Sequence, residues 1–232
     1  MKIIIKAFSS ILFITSQAFA IAGFGLHLDR SMYSVVETTT PLTSGGTTVA
    51  SITHHGFDNG LGIGGYLYVD AIPMVDVDIE AVMLLSSYEF SFSNQIPGSA
   101  INNQKFGWAD FSGYFTLQKK LLKFSIPLLA KTKLTAGIGA NSHSSIPMIS
   151  QNMMKSVMGA GNFGSGTLNT DELISYLKDN KVSSIGFHIQ TGLQFKILML
   201  DSFLYYRQVF ADNVIPNAKG FGSLNLRFGM GF

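Results

Sequence analysis

The sequence predicts an all-β protein: an eight-stranded, antiparallel, up-and-down transmembrane β-barrel with long extracellular loops, the third of them holding short helices. Three observations predict it. Apolar residues recur at every second position through eight separate segments, as in strands with one apolar and one polar face. The chain is 47% hydrophobic and 13% charged, with 24 Gly and 19 Phe. Yet after its first residues it has no run of the roughly 20 apolar residues that a membrane-spanning helix needs. A barrel resolves that conflict by spreading apolar surface over alternate positions of many short strands. Finally, long and short connections alternate, which places short turns at one rim and long loops at the other.

Residues 1–20 carry Lys2 and Lys6, an apolar run through Ile11 and Ile14, and the small-x-small triplet Ala18-Phe19-Ala20. This pattern predicts a secretory signal peptide cleaved before Ile21, leaving 21–232 as one barrel domain. Setting Lys2 and Lys6 aside leaves 14 basic against 14 acidic residues, and no nucleic-acid partner is suggested. Cysteine is absent, so closure and packing must supply the stability.

The first strand alternates Ala22, Phe24, Leu26 and Leu28 with Gly23, Gly25, His27 and Asp29. From Val36 to Gly60, turn chemistry (Thr38–Pro41, Gly45-Gly46, Asp58-Asn59-Gly60) predicts a first long loop. Leu61, Ile63, Leu67, Val69 and Ala71 mark the second strand, and Ile72-Pro73-Met74 a tight reversal. The third strand sets Val75, Val77, Ile79, Ala81, Met83 and Leu85 against Asp76, Asp78 and Glu80 and continues toward Phe90 or Phe92. After a second loop (Ser93 to Lys105), Ala109, Phe111, Phe115 and Leu117 form the fourth strand, followed by a reversal from Lys119 to Pro127. The fifth runs from Leu128 to Ala140, with Lys131 and Lys133 facing inward.

The third loop, Ser142 to Ser183, breaks the period of two. Ile149, Met153, Met154, Val157 and Met158 recur at helical spacing after Pro147, with Ser145 as the cap. Asn169-Thr170-Asp171-Glu172 predicts a second helix start. The sixth strand runs from Ile185 to Ile197 with Lys196 inward, and the seventh from Ser202 to Ala211. The eighth carries Leu224, Leu226, Phe228, Met230 and Phe232 on one face, Asn225 and Arg227 on the other.

The inward charges are the first candidate site. Asp70, Asp76, Asp78 and Glu80 are expected beside the periplasmic reversal, with Lys131, Lys133, Lys196 and Arg227 toward the same end. Eight strands leave an interior barely wide enough for side chains, so these charges should pair as a structural plug; a charge-lined pore is the alternative. The second candidate is an apolar surface of Met148, Ile149, Met153, Met154, Val157 and Met158, either a cap on the mouth or a site for a small hydrophobic ligand. His143-Ser144-Ser145 is weighed as a base–nucleophile pair, with Ser145 preferred as a helix cap. His54-His55 is a weak metal signal, and Gly62-Ile63-Gly64-Gly65 belongs to a strand face rather than a phosphate loop. No catalytic residue, metal site or cofactor is expected.

On its leader, alternating strands, loop asymmetry and terminal Phe232, the chain resembles the small eight-stranded bacterial outer-membrane barrels of the OmpA-transmembrane, OmpX and OmpW type. The resemblance covers the whole mature chain and rests on architecture. It implies an outer-membrane location with both termini periplasmic, contact with outer-membrane lipids and lipopolysaccharide, and recognition of Phe232 by the barrel-assembly machinery. The functions it implies are a non-enzymatic structural or surface-interaction role, a narrow port for small or hydrophobic solutes, or a lipid A-modifying enzyme. The fold does not choose among them.

Overall fold

The computed structural model describes residues 22–44, 46–70, 75–94, 100–126, 130–153 and 170–232. The expected leader and its cleavage site, the Ile72-Pro73-Met74 reversal, and Met154, Val157 and Met158 lie outside the described residues.

Among the described residues ten strands form: β1 (Ala22–Val35), β2 (Thr38–Ser44), β3 (Thr47–His54), β4 (Phe57–Val69), β5 (Asp76–Asn94), β6 (Ile101–Ile126), β7 (Ala130–Ser145), β8 (Val182–Ile197), β9 (Leu200–Phe210) and β10 (Gly220–Gly231). Between β7 and β8 the described residues include α1 (Thr170–Asp179) and a helical turn at 151–153. Eight of the strands, β1 and β4 to β10, close into an antiparallel ring through the β1–β10 and β5–β6 pairings. At the seam, the Phe232 amide donates to the Ala22 carbonyl at 2.9 Å and the Ala22 amide to the Phe232 carbonyl at 3.1 Å.

Register fixes the barrel's shape. Paired residues lead from Ala22 to Val69, Val77, Leu117, Ile138, Ile189, Gln208, Gly222 and back to Met32 on β1. One circuit therefore returns ten residues along β1 (32 − 22). A stagger of that size over eight strands about 4.8 Å apart tilts each strand by roughly 40° from the axis.

The alternation decides which face meets what. Leu26, Ile63, Ile79, Phe115, Ile138, Ile189, Leu204 and Phe228 are exposed on the outer wall, while His27, Glu80, Thr116, His188, Arg207 and Arg227 are buried inside. That is inside-out for a soluble barrel, whose apolar face would line the interior, and it is what a membrane-spanning barrel requires. The apolar belt runs from Ile197, Met230 and Phe232 at the rim of the seam to Met32, Leu61, Leu85 and Ile185 at the loop-bearing rim.

Three expectations are corrected. The stretch Val36–Gly60 is not a loop: β2 and β3 pair from Thr38↔His54 to Ser44↔Thr47, and β3 also pairs with the upper end of β5. The β-branched run Thr38-Thr39-Thr40 and Thr47-Thr48-Val49 explains it, and Pro41 is tolerated because β2 is an edge strand. Nor is Lys119–Pro127 a reversal. β6 continues to Ile126 and pairs with β7 down to Ile126↔Ala130, with an irregularity between Lys120 and Leu122. Likewise β5 reaches Asn94 and β6 starts at Ile101, which narrows the second loop. Both strands outrun the belt, so hydrogen bonding continues where no bilayer demands it.

Candidate functional site

The barrel interior is filled in layers. Its centre is Glu80, fully buried on β5. Arg207 on β9 and Arg227 on β10 both donate to Glu80 Oε1, and the Tyr205 hydroxyl donates to Oε2 at 2.8 Å. His27 Nδ1 lies 2.8 Å from the same Oε2. Arg227 also donates from Nη1 to Asp78 Oδ2 at 2.9 Å, an oxygen that Gln118 contacts as well. Each guanidinium lies over an aromatic face, Arg207 at 3.9 Å from the Tyr114 ring centre and Arg227 at 4.6 Å from that of Tyr205. Two carboxylates thus meet two guanidinium groups within a hydrogen-bonded network that leaves Arg207 Nη1 without a partner among the described residues, and the pairing offsets much of the desolvation. Gly139 makes room beside this layer, since a Cβ there would stand 2.6 Å from the His188 ring.

A second charged layer closes the seam-side rim. Lys120 bridges Asp70 and Asp76, reaching Asp76 at 3.1 Å, and Lys133 donates to Asp70 at 2.6 Å. Burial works against the Asp70 carboxylate, but hydrogen bonds from Asp76, Lys120 and Lys133 outweigh it and hold its pKa at about 2. Across the rim, Lys196 lies 3.7 Å from Asp201 and donates to the Gly231 carbonyl at 3.2 Å. Lys131 stands opposite Lys196 in register.

These contacts correct the expectation of one periplasmic cluster. Asp70, Asp76, Lys131, Lys133 and Lys196 gather at the seam-side rim, whereas Asp78, Glu80 and Arg227 belong to the central layer. The stagger lifts Arg227 to the level of His27, its partner in register five residues above Ala22. Sequence reasoning missed Arg207, Asp201, Tyr205, His27 and Lys120 as members. Parity alone would have found the β9 residues, because Asp201, Phe203, Tyr205, Arg207 and Val209 share one face. Lys120 was hidden by its assignment to a turn.

Above the central layer the lumen becomes apolar. Val82, Leu84, Tyr88, Phe90, Trp108, Val209 and Phe221 pack into one buried cluster. The third loop descends into it: Ile149 is 4% exposed and Met153 2%, and Met148 packs against their edge. Ile149 is held at both ends of its peptide unit, its amide donating to the Tyr88 hydroxyl at 2.9 Å and its carbonyl accepting from His54 Nε2 at 2.6 Å. Burial lowers the His54 pKa from 6.5, with the Ile149 carbonyl opposing and His55 assisting. The helical turn that follows begins at Gln151, and its cap is Ser150, whose hydroxyl accepts from the Met153 amide at 3.2 Å. Ser145 is therefore not that cap.

Ser145 instead ends β7 and donates to Asp110 Oδ1 at 2.8 Å, while His143 Nδ1 lies 2.8 Å from Asp110 Oδ2 and 3.1 Å from the Ser112 hydroxyl. Asp110, His143, Ser112 and Ser145 make an acid–histidine–serine cluster, but both serines face the acid side of the ring. His143 Nε2, the nitrogen that a base would turn toward a nucleophile, has no partner among the described residues. His55 Nδ1 pairs with Glu37 at 2.9 Å, so the adjacent histidines face different partners. No cluster of metal-ligating side chains occurs among the described residues.

No family model matches the sequence, and no curated protein matches it either. Among solved structures the chain is similar to OprG from Pseudomonas aeruginosa, with a TM-score of 0.44, 10% identity, and 90% of this chain and 96% of that chain covered. It is also similar to the N-terminal β-barrel domain of Pseudomonas aeruginosa OprF, with a TM-score of 0.42, 8% identity, and coverage of 90% and 99%. A third is Neisserial surface protein A, with a TM-score of 0.39, 14% identity, and coverage of 90% and 96%. These are likenesses of strand architecture at low identity.

Proposed function

We propose that the chain is a non-enzymatic outer-membrane barrel with a lumen held shut, acting through its loop-bearing end as a structural or surface-interaction protein. Its leader is removed before Ile21, and both ends of the barrel domain lie at the periplasmic rim. The observation that carries this reading is Glu80, fully buried between Arg207 and Arg227 beneath the aromatic plug. An open port would have to break that layer, and breaking a buried pair costs about 3–5 kcal/mol. In planar bilayers the purified protein should give no discrete conductance steps. Reproducible steps would overturn the closed-lumen reading and favour the narrow port.

The burial of Ile149 and Met153 favours a cap over a ligand surface for the third loop. The sharing of His143 Nδ1 between Asp110 and Ser112, with Nε2 turned to neither serine, weighs against the lipid A-modifying reading, and unchanged lipid A mass in cells expressing the protein is the expected result. Phe232, its ring exposed on the outer wall and edge-on to Phe24 at 5.8 Å, is proposed as the contact for the assembly machinery.

A further inference from the structure

Arg30 stands on the lipid-facing row of β1, exposed between Leu28 and Met32. Its partners in register are Leu61 on β4 and Leu224 on β10, both exposed and apolar. Among the described residues, the outward side chains between the two rims of the belt are otherwise uncharged, with Lys119 marking the seam-side edge. Arg30 takes part in no ion pair among the described residues, although Asp29 and Asp58 line the groove beside it.

An arginine on a barrel's lipid face costs about 2–4 kcal/mol at the bilayer midplane and about 0–1 near an interface. Arg30 lies eight residues above Ala22 and two below Met32, where the β1 row ends (30 − 22 and 32 − 30). That places it toward the loop-bearing rim, within reach of headgroups for a side chain that can extend along the wall.

Beside it the outer wall opens into a groove of about 870 Å³. Leu28, Leu61, Ile63 and Leu85 line the groove, with Ser87 and Asp58 also at its surface. Asp58 pairs in register with Ser34, four residues above Arg30 (34 − 30). The register puts Leu28 and Ile63 on the midplane side of Arg30, Leu61 and Leu85 beside and beyond it, and the Asp58 carboxylate farthest out. A lipid acyl chain matches Leu28 and Ile63, and a phosphate matches the guanidinium, whose fork can give two parallel N–H bonds to two phosphate oxygens. Asp58 disfavours negative charge placed higher than Arg30.

We propose that Arg30 and this groove bind an anionic, phosphate-bearing lipid of the leaflet at the loop-bearing rim. The phosphate pairs with Arg30 beside Leu61 and Leu85, and an acyl chain descends along Leu28 and Ile63. This site rests on the membrane-spanning reading of the barrel and adds to it a selectivity that an unspecific apolar belt lacks.

The test is native mass spectrometry of the full mature chain, equilibrated with dimyristoyl phosphatidic acid or with dimyristoyl phosphatidylcholine, which shares its acyl chains. The wild type should retain phosphatidic acid at least tenfold better than R30Q does, with R30K intermediate because a lysine supplies charge without the fork. Phosphatidylcholine should be retained equally by all three, and D58N should raise phosphatidic acid retention. Equal retention of phosphatidic acid by wild type and R30Q overturns the site. Reconstitution into vesicles separates this from failure of the reading beneath it. A wild-type chain that does not insert as a heat-modifiable, protease-protected barrel overturns both, whereas insertion with no effect of R30Q overturns the lipid site alone.

Discussion

At the scale of single residues, Glu80 carries more than its own charge. It is the shared acceptor of Arg207 and Arg227, so its loss leaves two guanidinium groups in a space sealed from water. Glu80→Ala should destabilise the barrel by about 3–5 kcal/mol, read from the urea midpoint of protein refolded in micelles. Glu80→Gln should cost less, since the amide oxygen still accepts. At the rim, Asp70 makes a pH-dependent contribution whose sign is set by its depressed pKa of about 2. The contribution is full above the ordinary carboxyl value near 4 and is lost as pH falls from there through about 2. Asp70→Asn should therefore be less stable than wild type at pH 7, and the gap should narrow from pH 4 toward pH 2 in parallel acid titrations followed by circular dichroism.

At the scale of elements, the mouth is a joint of three parts: the β2–β3 hairpin, the upper end of β5, and the loop after β7. They meet at Ile149, gripped by Tyr88 from β5 and His54 from β3. Because burial depresses the His54 pKa, the neutral imidazole belongs to the closed joint; its contribution is present above pH 6.5 and falls away on acidification. Hydrogen-exchange protection at residues 146–153, taken relative to the intrinsic exchange rate at each pH, should fall between pH 7.5 and pH 5, and His54→Gln should flatten that dependence. Met153→Ala removes a side chain only 2% exposed and should cost about 2–5 kcal/mol, less if the loop relaxes into the gap. At the opposite end, the β6–β7 hairpin carries Leu122, Phe124 and Ile126 outward past the belt while Lys123, Lys131 and Lys133 alternate on its other side.

At the scale of the whole molecule, the ten-residue stagger is what mixes the layers. It carries Arg227, near the end of its own strand, up to Glu80, and it brings β9 across the lumen from β5. Closure of β1 on β10 leaves no free edge within the belt, as hydrocarbon demands, and Phe232 sits on that seam. Phe232→Ala should lower the yield of heat-modifiable protein in membranes while purified chains still fold in detergent. Equal yields in cells would remove Phe232 from assembly.

The period of two by itself determined that there are eight wall strands and which face of each meets lipid, because a strand's parity is a local property of its own residues. It also determined that Asp78, Glu80 and Arg227 face inward, and it held the same information for Arg207 and Tyr205. Only the tertiary structure decided their heights and partners. Register and tilt are properties of pairs of strands summed around a closed ring, and no single segment encodes them. The same reason explains β2 and β3, whose polar threonines look like loop until the overhang of β5 offers them a ladder. It explains the mouth as well: helical spacing marked Ile149 and Met153 as one surface, but Tyr88 and His54, far away in sequence, decide that the surface is turned inward.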